Sequence, residues 1–368
     1  MKQRTGKHLR RIIILAAKLI AAALVIFWLL RSTSAKDIDW PYLNRTLDRW
    51  PLLIGAFCLL ALLPGIGALR WFLLLRCQGF MVSYWRALHL TLVGMFFNCI
   101  GVGYTGGDVI KAYYVARDQE RGRRAEAVYT VGFDRAVGLY GLLLLGCFGV
   151  LCSLDKVLAD ARVRNTALVM LAVVAFVTWG FLFMWSKRFS ESEKYAPRLE
   201  KSMLGNLFLR FYRSVKIYRN KWRVLIATVI ISLMAHALMI GVLWILGCAL
   251  DMGEISIFEF AFYCATGMAV SSIGPPMGVG FGQLSFGLLF KMQWGDPGVK
   301  FGFMLSTLQQ LVLLAFNTLI GLPAFLFVRR DLAAVKAAMR EDEETTDSEN
   351  AQTREFPAIR APQIQEDE

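Results

Sequence analysis

The chain has 368 residues, of which 56% are hydrophobic and only 19% charged, below the roughly one quarter that is usual in soluble domains. A formal net charge of +13 could suggest nucleic acid, but the basic residues lie between long apolar runs, so a nucleic-acid partner is set aside and a multi-pass membrane protein takes its place. Seven cysteines with no C-x-x-C pair and three histidines argue against a zinc site, and neither metal nor cofactor is expected.

In chain order, a basic cytoplasmic N-terminus (residues 1–11) precedes six nearly charge-free stretches: Ile12–Leu30, Leu52–Leu69, Val128–Leu151, Thr166–Trp185, Val224–Leu250 and Phe301–Val328. About 20 apolar residues cross a hydrocarbon core of roughly 30 Å as a helix. Residues 12–330 are read as the membrane domain, with halves at about 12–185 and 224–330. Residues 186–223 join them: Leu204, Leu207, Phe208, Phe211, Val215, Tyr218 and Trp222 recur at helical spacing beside Arg210, Arg213, Lys216 and Arg219. Such a helix either lies on anionic lipid at the cytoplasmic face or caps the bundle. Residues 331–368 have too little apolar content for a core and read as a disordered cytoplasmic tail.

Two places interrupt the apolar pattern with glycine and proline. They are GMFFNCIGVGYTGGDVIKAYY (Gly94–Tyr114) and SSIGPPMGVGFGQLSFGLLF (Ser271–Phe290). Irregular backbone at membrane depth must be buried in protein or line a polar cavity, because lipid cannot satisfy its N–H and C=O groups. The plainer reading, that glycine only lets helices approach closely, stays open beside it.

If both segments enter and leave on one side and the N-terminus is cytoplasmic, 28 basic residues fall in cytoplasmic segments and nine outside, as the positive-inside rule requires. The expected fold is an all-α polytopic protein of the inner (cytoplasmic) membrane, with both termini cytoplasmic. It has about six spanning helices plus two re-entrant hairpins in a pseudo-symmetric inverted repeat, the arrangement that places a transporter's site near the midplane.

GYTGGDVIKAYYVAR (Gly103–Arg117), followed by AEAVYTVGFDRAVGLYGLLLL (Ala125–Leu145) and by PPMGVGFGQ (Pro275–Gln283), resembles the signatures of the lysylphosphatidylglycerol synthase transmembrane region, or flippase-like, family, over about Leu9–Arg330. The resemblance implies a two-repeat membrane domain that moves lipid or polyprenyl-linked molecules between leaflets. The chain departs from the pattern at Gln283, where relatives carry Glu, and at Gln309–Gln310, where they carry Arg, so an amide pair replaces a charge pair. A soluble aminoacyl-transferring domain has no counterpart here, which argues against lysyl transfer.

Charged groups inside a membrane domain are costly and face the bundle interior or a cavity. Asp108 follows Gly106 and Gly107 at a helix start, where it either caps exposed N–H groups or positions Lys111 or Arg135 while the glycines offer N–H groups to a lipid phosphate. Arg135 either snorkels to the interface or grips phosphate oxygens bidentately, restrained by Asp134 or Asp108. Gln283 and Gln310 are assigned to the cavity, whereas His89 and His236, each without a second ligand at i+4, read as satisfied packing residues. The leading function is a flippase or transporter of an anionic or polyprenyl-phosphate-linked lipid, not an enzyme. The alternatives are a membrane-embedded transferase or accessory partner of a lipid-modifying enzyme, and a scaffold; assembly into a homo-oligomer stays open.

Overall fold

The computed structural model describes residues 40–100, 106–119, 123–185, 218, 221–273 and 278–354. Among these there is no strand. The helices are α1 (Trp40–Asp48), α2 (Trp50–Leu60), α3 (Leu63–Cys77), α4 (Tyr84–Ile100), α5 (Gly106–Arg117), α6 (Arg124–Cys152), α7 (Leu154–Ala159), α8 (Ala161–Trp185), α9 (Trp222–Ala249), α10 (Ile257–Ser271), α11 (Phe281–Trp294) and α12 (Asp296–Arg354). The chain divides into two units, Met1–Leu322 and Pro323–Glu368. Within the second unit α12 stays helical to Arg354, through residues that are too polar to build a core.

Five stretches are long and apolar enough to cross a membrane: Trp50–Cys77, Glu126–Cys152, Ala161–Phe183, Trp222–Ala249 and Asp296–Leu326. They match five of the six expected runs, and the sixth, Ile12–Leu30, lies outside the described residues. Each is about 35 to 46 Å long at 1.5 Å per residue, ample for a bilayer core. The first is broken between α2 and α3, where Pro64 occupies the first turn of α3; proline is tolerated there but cannot continue a preceding helix.

The two interrupted segments form helical hairpins. In the first, α4 and α5 run antiparallel. The Asn98 side chain meets Gly107, Gly94 packs on the Lys111 stem, and Arg86 pairs with Asp118 at 2.9 Å. In the second, Gly267 lies against Phe286, and Tyr263 OH donates to Gln293 Oε1 at 3.3 Å. Helix α10 starts in a capping box: Ser256 Oγ accepts from Phe258 N and Glu259 reaches back to Ser256 N. Before α11 the backbone passes through Gly278 (φ 71°) and Gly280 (φ 80°), a left-handed conformation that residues with a Cβ rarely adopt.

Helix α6 is the hub, packing against α3, α5, α8, α9 and α10. Close approaches are made over small residues, as in membrane bundles generally. Gly141 faces Ser232, and Gly149 faces the Phe258 carbonyl. Gly298, Gly302 and Ser306, spaced four apart on α12, face Phe290, Phe286 and Gly282 of α11. The same helix reaches the first hairpin, where Gly321 lies against Leu92 and Phe96 of α4. By contrast α8 turns Leu168, Val169, Phe176, Trp179 and Leu182 outward, the face such a helix offers to lipid.

The C-terminus of α3 is closed by residues distant in sequence. Lys221 Nζ donates to Cys77 O at 2.9 Å, Arg123 to Gln78 O at 2.7 Å, and Tyr218 OH to Leu74 O at 3.4 Å. Cationic donors suit the negative end of a helix. Tyr218 is buried and stacks on Phe133 with ring centroids 4.3 Å apart. This one residue of the 204–222 pattern therefore docks on the bundle and not on lipid; residues 204–217 lie outside the described part.

Candidate functional site

The eight residues singled out from the sequence fall into two groups. The first lies where α3, α5, α6 and α9 meet. Asp134, 3% exposed, takes a two-point contact from Arg70, with Nε to Oδ1 at 2.7 Å and Nη2 to Oδ2 at 3.0 Å; Arg70 Nη1 also donates to Ser232 Oγ at 3.0 Å. Asp108 is buried too and pairs with Arg135, with Nη2 to Oδ1 at 2.9 Å and Nε to Oδ2 at 2.5 Å. The Arg135 side chain keeps 44% of its surface exposed, so it forms the accessible edge of an otherwise buried group. Lys111, buried, holds its ammonium over the Trp71 ring, 4.4 Å from the centroid, while Trp71 Nε1 donates to Thr130 Oγ1 at 3.3 Å.

The helices bring these charges to one level for a geometric reason. Arg70 lies seven residues before the end of its span at Cys77, Lys111 six before the end of α5 at Arg117, and Asp134 eight after the start of its span at Glu126, each about 9 to 12 Å from a helix end. All three ends face the connections that run into and out of the first hairpin. A buried charge without a partner is strongly destabilising, and the cross-helix pairing supplies partners that no single helix could.

Asp108 restrains Arg135, whereas Asp134 is taken by Arg70, which the sequence places among the 28 basic residues of the cytoplasmic segments and the structure places inside the span. Its position inside the span Leu52–Leu69 extended by two turns was the available signal. Asp108 does not cap α5 through any described hydrogen bond. The Gly107 N–H donates to Asn98 Oδ1 at 2.8 Å, so in this structure that donor serves the hairpin and is not turned to a ligand. Gly106 opens α5.

The second group joins α11 to α12. Gln283 Nε2 donates to Gln310 Oε1 at 2.8 Å, and Gln310 Nε2 returns to Gln283 Oε1 at 3.3 Å and to Gly278 O at 3.3 Å. Gln283 Oε1 also accepts from Gly280 N at 2.7 Å. The amide pair therefore ties the left-handed turn before α11 to the last long helix. Gln283 and Gln309, the neighbour of Gln310, are buried, and Gln310 is partly exposed.

Elsewhere, His236 Nε2 bonds to Gly138 O at 2.9 Å, a satisfied packing role. Glu259, buried on α10, meets Lys156 of α7 at 3.0 Å, an ion pair not anticipated from the sequence. Among the described residues no group of three or more His, Cys, Asp or Glu could hold a metal ion.

Residues 14–321 match the family model described as the lysylphosphatidylglycerol synthase TM region. The chain is also similar to a curated UPF0104 membrane protein of Methanocaldococcus jannaschii, 24% identical over 291 residues that cover 76% of this chain and 85% of that one. No solved structure matches.

Proposed function

Given that the chain belongs to the lysylphosphatidylglycerol synthase TM region family of multi-pass membrane proteins, we propose that it moves an anionic phospholipid or a polyprenyl-phosphate-linked lipid between the leaflets of the inner membrane. The observation that carries this reading is the charge balance of the first group. Among the described residues three basic side chains, Arg70, Lys111 and Arg135, face two carboxylates, Asp108 and Asp134, which leaves one more basic than acidic group within these membrane-embedded helices. Such a surplus is expensive, and an anion with phosphate geometry offsets it; a guanidinium at the accessible edge suits phosphate oxygens.

In this proposal both hairpins are re-entrant. Their arms, 17, 12, 15 and 14 residues long, measure about 18 to 26 Å, short of a core of roughly 30 Å. The order of a span, a short-armed hairpin and a span occurs twice, around α4–α5 and around α10–α11, and supports an inverted repeat of six spans with Ile12–Leu30 as the first and both termini cytoplasmic. The basic stretch 186–223 then lies on the cytoplasmic side, near anionic lipid.

Reconstitution of the full chain in liposomes with leaflet-specific quenching of a labelled phosphatidylglycerol tests the reading. Accelerated exchange between leaflets that Arg135→Ala abolishes, with folding intact, is the expected result. A wild-type rate equal to that of protein-free liposomes would overturn it.

A further inference from the structure

The surplus charge of the first group can be assigned to one residue. Arg70 is matched to Asp134 by two hydrogen bonds and Arg135 to Asp108 by two close contacts. Lys111 is within electrostatic reach of both carboxylates and both guanidiniums, yet among the described residues its ammonium makes no ion pair within 4.0 Å, and it rests on the face of Trp71. Trp71 is fully buried and is held by Thr130, whose own hydroxyl donates to Ala127 O at 2.7 Å. The Lys111 stem is fixed against Gly94, where a Cβ would come within 3.2 Å of it. The ring attracts the cation without bringing a negative charge to it, so among the described residues a counter-charge at ion-pair distance is left for an incoming anion to supply.

We infer that Lys111, seated on Trp71, selects a lipid whose head carries a single net negative charge on a phosphodiester and rejects zwitterionic phospholipids. This rests on the transport reading above and names the substrate class of the same site. Two physical reasons separate the classes. A zwitterionic head brings its own cation into a group that already holds a positive surplus, and like charges at close range repel. A quaternary ammonium is best received on an aromatic face, and the Trp71 face is already covered by the protein's own ammonium. Neither reason acts against phosphatidylglycerol.

The test is competition at the full-length protein in nanodiscs, with a fluorescent phosphatidylglycerol displaced by phosphatidylglycerol, by phosphatidylcholine or by soluble glycerophosphoglycerol. The wild type is expected to prefer phosphatidylglycerol over phosphatidylcholine by about ten-fold or more, a difference of about 1.4 kcal/mol or greater. Lys111→Gln should bring that ratio close to one, and Lys111→Arg should keep most of it. Trp71→Leu should reduce it, because a lysine without its aromatic seat can turn to Asp108 or Asp134, whereas Trp71→Phe should retain it in part. The ratio is read within each variant, so a variant with little folded protein still reports on selectivity through its active fraction. If Lys111→Gln keeps the wild-type ratio, the inference is overturned. Displacement by glycerophosphoglycerol as strong as by the lipid overturns a membrane lipid as the source of the phosphodiester. Leaflet exchange in liposomes separates this from the reading beneath it: exchange of both lipid classes at equal rates overturns the selectivity alone, and no exchange of either overturns the transport.

Discussion

Arg70 and Asp134, 64 positions apart, close a two-point ion pair inside the bundle with Ser232 as a third partner on α9. Pairs of this kind contribute little net stability but are costly to halve, about 3–5 kcal/mol for one partner removed. Asp134→Asn and Arg70→Gln are each expected to lower stability by an amount of that order, and the double variant by less than the sum of the two. Thermal unfolding in one detergent measures the cycle; strict additivity would mean that the pair does not act as a unit.

Glycine substitutions should separate by position. A Cβ on Gly107 would stand 2.6 Å from Asn98 Oδ1 and press on the Gly94 carbonyl, and one on Gly302 would stand 2.5 Å from the Phe286 carbonyl carbon. Gly107→Ala and Gly302→Ala should each cost about 1–3 kcal/mol through forced separation of packed helices. Gly180→Ala on α8, which meets nothing within 4 Å, should cost nothing. Yield of monodisperse protein and melting temperature are the readouts, and equal behaviour of the three would refute the packing assignment.

The reciprocal amides of Gln283 and Gln310 predict a second coupled pair. Gln283→Leu strands the Gly280 N–H and half of the Gln310 amide, and an unsatisfied buried polar group costs about 1–3 kcal/mol. Gln283→Leu with Gln310→Leu should recover part of that loss. Unfolding in the two single variants and the double variant decides it, and a double variant worse than both singles combined would count against the pairing.

A modest acid sensitivity is expected where α7 meets α8. Asp160 accepts from the Arg162 N–H at 2.7 Å and from its guanidinium at 3.1 Å, and the Arg162 side-chain hydrogen bond holds the carboxyl below its ordinary value. With the folded value depressed, the stabilising contribution is present above the unfolded carboxyl's pKa of about 3.9 and is lost as pH falls through the folded one. Amide exchange in the first turn of α8 should therefore quicken in acid relative to neutral pH, beyond the intrinsic pH trend. In Asp160→Asn that extra change should vanish; the same change in the variant would exclude Asp160 as its source.

Much of the fold was legible because hydrophobic length is a local property. Five of the expected apolar runs lie in helical spans, four of them within about five residues of the expected limits, whereas Leu52–Leu69 is broken into α2 and α3 and its span runs on to Cys77; the glycine-rich interruptions mark the ends of the short arms α4, α5, α10 and α11. Asp108, Asp134 and Arg135 stood out because charge inside an apolar run is conspicuous. Arg70 did not, because it lies near the edge of its run and reads as one more basic residue in a loop, and Trp71 reads as ordinary core. The Lys156–Glu259 pair was invisible for a different reason: its members lie 103 positions apart with no shared pattern.

By itself the amino-acid order determined that this chain enters a membrane, roughly where the five described spans lie, and that Asp108, Asp134 and Arg135 are charges at depth, since these follow from the transfer cost of runs and single charges. Only the tertiary structure decided which carboxylate answers which guanidinium and that Lys111 is left on an aromatic ring. Partner choice depends on the relative rotation and level of α3, α5, α6 and α9, and those are set by glycine contacts between helices that no one segment contains.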